Sequence, residues 1–478
     1  MGTKKSIKKS IGYRLAFILI AAAIISIGIF VQPPTGLEVP GWRMLMLVVA
    51  VVVMFISECM PVPAVCVMIV VLLKYLGIMS FSDIQKQAWN TTIYFIMVSF
   101  GIAAAMKKTN LSAILLRFLF KFVKGSSKKL IAVMTILTAI ISTVVNNGVA
   151  QVVIITIVLS MFSALGNPEP GTSRLCKGIM LGVCVGSQTG GLALPASNAV
   201  NVVLMDLAES IGGTSSISFF QWCLFGVPAA IILTAFAAWF IGWICKPEDL
   251  TQEQLDGMDH MFENIPEKLG KNDWVFIGVM GAMIVLWVSC TWVKALDIAT
   301  IAMMGLFVLM MPGVGIINAK DYYKDFQGSM VVVLTCLFPM AKAMASSGAG
   351  EWVINNLFAG APGWSPLVLY IMAAFTAFVV HLLVPSGSAN AALSAMIIGP
   401  VAVSCGIPAV SILFIIGMQA GCSYLLPVDG IWAYTLGYGY YDFSDPMKKL
   451  WPMVLVTIAF AVAIVPLLTG LYGAVGLI

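Results

Sequence analysis

Two short polar stretches interrupt long apolar sequence and carry the side chains best suited to bind a ligand. The first is ISTVVNNGVAQVVI at residues 141–154, with its tip at residues 146–148. The second is VVHLLVPSGSANAALSAMI at residues 379–397, with its tip at residues 386–388. Amides and hydroxyls are costly in hydrocarbon, so at membrane depth we expect them to be buried in protein and to face something that they bind. We predict that both tips face one ligand.

The apolar runs beside the first tip are short. Residues 130–141 and 152–162 each fall below the roughly 20 residues that a helix needs to cross a bilayer. Two half-length helices that meet at a polar tip form a re-entrant hairpin. Paired interrupted segments in two halves of a membrane chain also mark the binding site of a transporter. The pattern therefore predicts one re-entrant hairpin in each half.

A third polar stretch, GSQTGGLALPASNAVN at residues 186–201, lies inside the apolar segment 176–207. Its glycines, proline and polar residues cannot all occupy a regular spanning helix without freeing backbone groups, so the pattern predicts a helix broken at membrane depth. Close helix packing is the alternative interpretation of Gly190 and Gly191. For Ser197 and Asn198 we favour a binding role.

The tips offer amides, hydroxyls and helix N-termini rather than catalytic groups. Helix N-termini carry partial positive charge and N–H donors, so several of them aimed at one point bind carboxylates. Carbonyls freed in broken helices suit a small hard cation such as Na⁺, which would bring an anion in against a negative-inside potential. Because the tips contain neither Lys nor Arg, the pattern favours an anion site formed by helix dipoles and accompanying cations.

The composition restricts the class of protein. Hydrophobic residues make up 60% of the 478 residues and charged residues 10%, which excludes a water-soluble globule and a disordered chain. The apolar segments are long and continuous, so they predict helices rather than an outer-membrane barrel. The ten cysteines are scattered singly, which favours core packing over disulfides or a metal site. Nothing in the sequence indicates nucleic-acid binding.

The predicted fold is an all-α polytopic membrane protein with about 11 transmembrane helices in two inverted repeats, each with a re-entrant hairpin and a broken helix. An offset of 238 aligns residues 100–106 with 338–344, and an offset of 232 aligns 194–198 with 426–430, which gives a weak but ordered repeat. The predicted parts are an N-terminal tail and first helix (1–43), a first repeat (44–245), a cytoplasmic linker (246–273) and a second repeat (274–478).

Basic residues predict the orientation. Four lysines and an arginine at residues 4–14 directly precede the first apolar run, 15–31, so the positive-inside rule places the N-terminus in the cytoplasm. We predict a multi-pass protein of the cell inner (plasma) membrane. A cleaved signal peptide is the alternative interpretation, but no small-residue cleavage pattern precedes residues 32–34.

These motifs resemble the divalent anion:sodium symporter (DASS) family, the solute carrier 13-like dicarboxylate transporters of the ion-transporter superfamily. The resemblance rests on the order of elements, the two tips, the GG…SNA run at 190–199 and CSYLLPV at 422–428. It implies Na⁺ as the coupling ion, no organic cofactor, a homodimer and an elevator-type motion. The implied substrate-binding residues are Asn146, Asn147, Gly148, Ser197, Asn198, Ser386, Gly387 and Ser388. The implied Na⁺ ligands are Ser142, Asn146, Asn147, Leu194, Pro385, Gly387, Leu426 and Asp429.

The sequence departs from the family pattern at several of these positions. Asn146, Gly148 and Gly387 stand where the family has serine, threonine and asparagine. Asp429 is costly at the bilayer midplane, so Na⁺ ligation, binding of a substrate ammonium group and capping of its own helix are three open roles. For His381, proton coupling and helix packing are both open, and we favour packing.

The predicted function is secondary active transport: Na⁺-coupled symport of a small di- or tricarboxylate, such as a C4-dicarboxylate. A Na⁺-independent dicarboxylate exchanger is the alternative within transporters. An intramembrane enzyme is disfavoured because the sequence has no His-Glu-x-x-His pair, no Gly-x-Ser-x-Gly elbow and no metal-ligand cluster. A channel is a further class, which saturable and stoichiometric transport would exclude.

Overall fold

The described part of the chain is entirely helical where it is regular. The computed structural model describes residues 10–57, 59–213, 216–263, 268–290, 293, 295–326, 328–357, 363–384, 386–425 and 430–477. No strand occurs in these ranges, and nine of their helical stretches are long and apolar enough to cross a membrane. Shorter apolar helices accompany them. The predicted all-α membrane fold is confirmed.

The helices are numbered in chain order. Those of the first half are α1 (Ile11–Phe30), α2 (Val39–Ser57), α3 (Val62–Tyr75), α4 (Phe81–Ala88), α5 (Thr91–Met106), α6 (Leu111–Phe120), α7 (Ser127–Val144), α8 (Asn147–Ala164), α9 (Arg174–Gly190), α10 (Ala199–Leu207), α11 (Phe219–Cys245) and α12 (Gln252–Glu263). Those of the second half are α13 (Lys271–Ser289), α14 (Ile298–Met310), α15 (Ala319–Asp325), α16 (Gly328–Ser346), α17 (Ala349–Leu357), α18 (Pro366–Leu383), α19 (Gly387–Ser404), α20 (Ala409–Gly421), α21 (Gly430–Leu436), α22 (Ser444–Lys449), α23 (Trp451–Ala459) and α24 (Val465–Ala474).

The arms of the first hairpin are longer than the sequence predicts. Helices α7 and α8 contain 18 residues each, whereas the apolar runs in the sequence predict shorter arms at residues 130–141 and 152–162. At 1.5 Å per residue each arm is about 27 Å long. The prediction was wrong because it ended the helices where polar residues begin. The helices continue through these residues, since the hydroxyl of Ser142 is satisfied by the neighbouring helix.

Both ends of the first hairpin lie on the same side of the protein. The Ser127 hydroxyl at the start of α7 donates to the Glu248 carbonyl. At the end of α8, Gln254 Nε2 donates to the Leu165 carbonyl at 3.4 Å. We call this side, which carries residues 246–257, the linker side. The two arms are therefore antiparallel, and the tip between them lies away from the linker side, as the predicted re-entrant hairpin requires.

The second hairpin enters from the opposite side. The end of α19 packs against residues 209–211, which follow α10. Helix α10 leads away from the linker side, because α9 begins there with the Arg174 amide donating to Glu248 Oε1 at 2.9 Å. The second broken helix, α20 and α21, starts beside Gly213 and ends near Pro170. It therefore runs antiparallel to the first broken helix, which confirms the inverted repeat.

A stripe of glycines brings α7 and α9 into backbone contact. Gly178, Gly182, Gly186 and Gly190 follow one another at four-residue spacing on α9, and α9 packs closely against α7. A Cβ added to Gly190 would lie 2.2 Å from the Ala139 carbonyl oxygen. Close packing is therefore the role of Gly190, in line with the alternative interpretation of the sequence.

Two groups of helices meet at the centre of the molecule. Helices α1–α5 and α13–α16 pack mainly among themselves. The hairpins, the broken helices and α11 form the second group, in which α7 contacts α9, α18 contacts α20, and α19 contacts α10 and α20. Contacts such as α16 with α19 join the two groups. We call them the framework group and the hairpin group.

A partly buried ion pair fixes the start of α9 to α22. Lys177 Nζ lies 2.9 Å from Asp445 Oδ2, and the two side chains are only 20% and 11% exposed. Replacing Lys177 by methionine leaves the carboxylate desolvated without its cation, so we expect a loss of about 2 kcal/mol in the free energy of unfolding. The melting temperature of the purified protein in detergent measures this effect.

The matched control is Lys86→Met. Lys86 lies 3.8 Å from Asp83 and is 73% exposed, so its pair contributes less than about 0.5 kcal/mol. An equal fall in melting temperature for Lys177→Met and Lys86→Met would contradict the role given to the partly buried pair.

Candidate functional site

The two hairpin tips face one cavity of about 610 Å³. Among the residues described, seven of the predicted substrate-binding residues line it: Asn146, Asn147, Gly148, Asn198, Ser386, Gly387 and Ser388. The cavity lies between the two helix groups, because residues of α3 and α16 from the framework group line the facing wall. The tips that the sequence predicts to share a ligand therefore share a cavity.

Five helices begin at the wall of this cavity. Three belong to the hairpin group and two to the framework group. The lining contains the first residue of α8 (Asn147), α19 (Gly387), α3 (Val62) and α16 (Gly328) and the N-cap residue of α10 (Asn198). No charged side chain occurs among the described residues of the lining. Positive potential in this part of the cavity therefore comes from helix N-termini and their N–H groups, which suits a carboxylate.

The first tip uses its amide oxygens to cap its own helix. The Gly148 amide donates to Asn146 Oδ1 at 3.0 Å and to Asn147 Oδ1 at 2.9 Å. A Cβ on Gly148 would lie 3.2 Å from the ring of Tyr434, so this position is closely surrounded. With the oxygens engaged, the NH₂ groups of both asparagines are the parts of these side chains suited to an anion.

The second tip is capped by a hydroxyl. Ser386 Oγ accepts a hydrogen bond from the Ala389 amide at 3.4 Å at the start of α19. Ser388 also lines the cavity and is mostly buried. Because Ser386 Oγ acts as the acceptor in the cap, its O–H is suited to donate to a ligand oxygen.

Donors from the protein occupy the carbonyls freed by the break between α9 and α10. The Gly191 carbonyl accepts from Ser197 Oγ and from Asn201 Nδ2, both at 2.8 Å. The Leu192 carbonyl accepts from Trp222 Nε1 at 3.1 Å. These bonds satisfy backbone groups that an interrupted helix leaves unpaired. The break is thus a fixed structure.

The two binding residues predicted in this break, Ser197 and Asn198, lie in different surroundings. Asn198 lies at the cavity, where its Oδ1 caps α10 by accepting from the Val200 amide at 3.1 Å. Ser197 is fully buried, and within the described lining it does not reach the cavity. Asn201 and Trp222 were not predicted from the sequence. Asn201 ends the same polar motif and was open to prediction, whereas Trp222 lies on the next helix and gives no local signal.

Each hairpin makes a hydrogen bond to the neighbouring broken helix at an equivalent place, and Gln151 Nε2 of the first hairpin adds a second one by donating to Ser187 Oγ at 2.7 Å. On the first hairpin, Ser142 Oγ donates to the Ser187 carbonyl at 2.7 Å. On the second, His381 Nδ1 lies 2.7 Å from the Gln419 carbonyl. A carbonyl only accepts, so Nδ1 of His381 carries the hydrogen. This contact gives His381 a packing role beside the second tip.

Five of the eight predicted Na⁺ ligands lie among the residues that the structure describes. Ser142 lies in the contact between α7 and α9, and Leu194 is half-buried in the first break. Asn146, Asn147 and Gly387 lie at the cavity. Pro385, Leu426 and Asp429 lie outside the described residues.

A protein-family model described as a citrate transporter (CitMHS) matches residues 52–437. The sodium-dependent dicarboxylate transporter SdcS of Staphylococcus saprophyticus is 24% identical over 419 residues, covering 83% of this chain and 79% of SdcS. The putative malate transporter YflS of Bacillus subtilis is 25% identical over 384 residues, covering 78% of each chain.

Two solved structures share the fold. The YdaH transporter of Alcanivorax borkumensis superposes with a TM-score of 0.54 at 12% identity, covering 96% of this chain and 97% of YdaH. MtrF of Neisseria gonorrhoeae gives a TM-score of 0.55 at 12% identity, covering 96% of this chain and 95% of MtrF. At this identity the similarity concerns the arrangement of helices alone.

Proposed function

Because this chain belongs to the citrate transporter family and is a DASS-type carboxylate transporter, we propose that it couples uptake of a small di- or tricarboxylate to Na⁺. A C4-dicarboxylate is the proposed substrate class. The similarity to SdcS, which is named a sodium-dependent dicarboxylate transporter, supports Na⁺ as the coupling ion.

The convergence of both hairpin tips on one cavity carries this proposal. The tips lie at the ends of hairpins that enter from opposite sides, and each presents a capped helix N-terminus at the cavity. A ligand with two carboxylates can place one at Asn146 and Asn147 and the other at Ser386 and Ser388. The cavity volume of about 610 Å³ lies within the range of small-molecule sites.

Na⁺ is proposed to bind between each tip and the adjacent break. On the first side the proposed ligands are Ser142, Asn146, Asn147 and Leu194. The Leu194 carbonyl accepts from Ser197 Oγ and Asn201 Nδ2, so Na⁺ would replace these donors there. On the second side they are Pro385, Gly387, Leu426 and Asp429. Backbone carbonyls and side-chain oxygens are the donors that such a hard cation prefers. Bound cations would offset the charge of a dicarboxylate in a cavity whose described lining has no cationic side chain.

Alternating access is proposed to occur by an elevator-type motion of the hairpin group against the framework group. The packing of each group mainly within itself supports this division. A homodimer, in which the framework groups form the stationary part, is proposed together with it. The proposed location is the cell inner (plasma) membrane, with the N-terminus and the linker side in the cytoplasm.

Uptake into proteoliposomes tests this function. We expect the purified protein to accumulate radiolabelled succinate or citrate under an inward Na⁺ gradient and to lose this accumulation when K⁺ replaces Na⁺. The gradient supplies the driving force only if cation and anion cross together. Accumulation that ignores Na⁺ and requires internal counter-substrate would contradict symport and favour the exchanger.

A further inference from the structure

A second cavity, of about 660 Å³, adjoins the site cavity and has a charged wall. Its lining includes Lys107 and Lys108, which follow α5, and Asp321 and Lys324 on α15. We call it the basic vestibule. It lies toward the linker side, because α5 begins at the end of α10, where Asn90 Nδ2 donates to Asp206 Oδ2 at 2.8 Å, and runs from there to Lys107.

The two cavities share part of their walls. Gly148, Phe326 and Tyr434 line both of them. Gly148 belongs to the first hairpin tip, so the basic vestibule borders the position where we place one substrate carboxylate. Phe326 follows α15 directly, so the same short segment carries Lys324 on the vestibule wall and an aromatic ring on the boundary.

The charged groups of the vestibule form a fixed arrangement. Lys108 Nζ lies 2.9 Å from Asp321 Oδ1, and this hydrogen bond lowers the pKa of the Asp321 carboxyl from its ordinary value. Asp321 therefore keeps its negative charge near neutral pH. With three lysines and one aspartate among the described lining residues, the wall carries net positive charge.

We propose that the basic vestibule is a second carboxylate-binding site, through which the substrate passes between the site cavity and the linker side. This inference rests on the proposed function. The site cavity is proposed to hold an anion by helix dipoles, whose positive end is confined to the first turn of each helix. The vestibule adds full positive charges, which concentrate anions near an entrance over about a Debye length, roughly 8 Å at physiological ionic strength.

The vestibule should act on one face of the membrane only. In membrane vesicles of both orientations, we expect Lys324→Gln to raise the KM for succinate about three- to tenfold on the linker side and to leave the KM on the other face unchanged. Near 1 M salt the difference should disappear, because the Debye length is then about 3 Å. Cleavage of residues 246–257 by an added protease identifies which face is exposed.

Two further variants sharpen this test. Asp321→Asn removes the one negative charge of the described wall, so the KM on the linker side should fall rather than rise. In the wild type, Asp321 Oδ2 accepts from the Asn318 backbone N–H at the start of α15. The amide oxygen of asparagine can accept the same hydrogen bond, so the cap of α15 is kept. Lys320→Gln is the matched control, since Lys320 is an exposed lysine of the same helix outside the described lining. Its KM should equal that of the wild type on both faces.

The results separate the vestibule from the proposed function. Wild-type transport with no one-sided change of KM in Lys324→Gln and Asp321→Asn would overturn the vestibule alone. Equal changes on both faces would also overturn it. A wild-type protein that transports no carboxylate would contradict the proposed function and the vestibule with it.

Discussion

Replacement of Asn147 by alanine is expected to lower carboxylate uptake roughly 10- to 100-fold. Asn147 begins α8 at the wall of the site cavity, and its Oδ1 accepts from the Gly148 amide at 2.9 Å. The variant loses the NH₂ donor toward a carboxylate and one acceptor of the cap. A hydrogen bond to a charged group contributes about 1.5–3 kcal/mol, which corresponds to that loss. The initial rate of succinate uptake at matched protein amounts measures it.

Ser160→Ala is the control for Asn147→Ala. Ser160 lies on the same helix and is exposed, and its hydroxyl donates within α8 to the Thr156 carbonyl. We expect wild-type uptake from this variant. Wild-type uptake from Asn147→Ala as well would remove the first tip from the proposed site.

Gly190→Ala is expected to disrupt the hairpin group. The added Cβ would lie 2.2 Å from the Ala139 carbonyl oxygen and 2.6 Å from its Cα. Both atoms belong to backbone, so α7 must move away from α9. The free energy of unfolding should fall by about 3 kcal/mol. Uptake should be lost with it, because the displaced α7 carries the first tip. Melting temperature and uptake are measured on the same preparation.

Gly278→Ala is the matched control for this prediction. Gly278 lies within α13, and a Cβ there meets nothing within 4 Å. Alanine is a better helix former than glycine, so the melting temperature of Gly278→Ala should equal or slightly exceed that of the wild type. If Gly190→Ala keeps both melting temperature and uptake, the backbone contact between α7 and α9 does not position the tip.

The sequence predicts the hairpins and the broken helices because their signal is local. Polar residues at membrane depth must be buried and satisfied, so Asn146 and Ser386 mark the tips and Asn198 marks the break. Polarity does not locate the ends of α7 and α8, because both helices continue through the polar residues beside the tip. A polar residue such as Ser142 does not end a helix when a neighbouring helix accepts its hydrogen bond.

The framework side of the cavity was not predicted from the sequence. Helices α3 and α16 begin at the cavity wall, but their sequences carry no sign of which element they face. That depends on how the two helix groups pack. Residue type is equally ambiguous at Ser197 and Ser386. The Ser197 hydroxyl donates to a carbonyl of the break, whereas Ser386 lines the cavity.

A cryo-EM map of the protein with Na⁺ and succinate would show whether the two tips hold one ligand between them. We predict ligand density in the cavity of about 610 Å³, in contact with Asn146 or Asn147 on one side and Ser386 or Ser388 on the other. Density bound elsewhere in a transport-active preparation, with this cavity empty, would show that the two tips do not share a ligand.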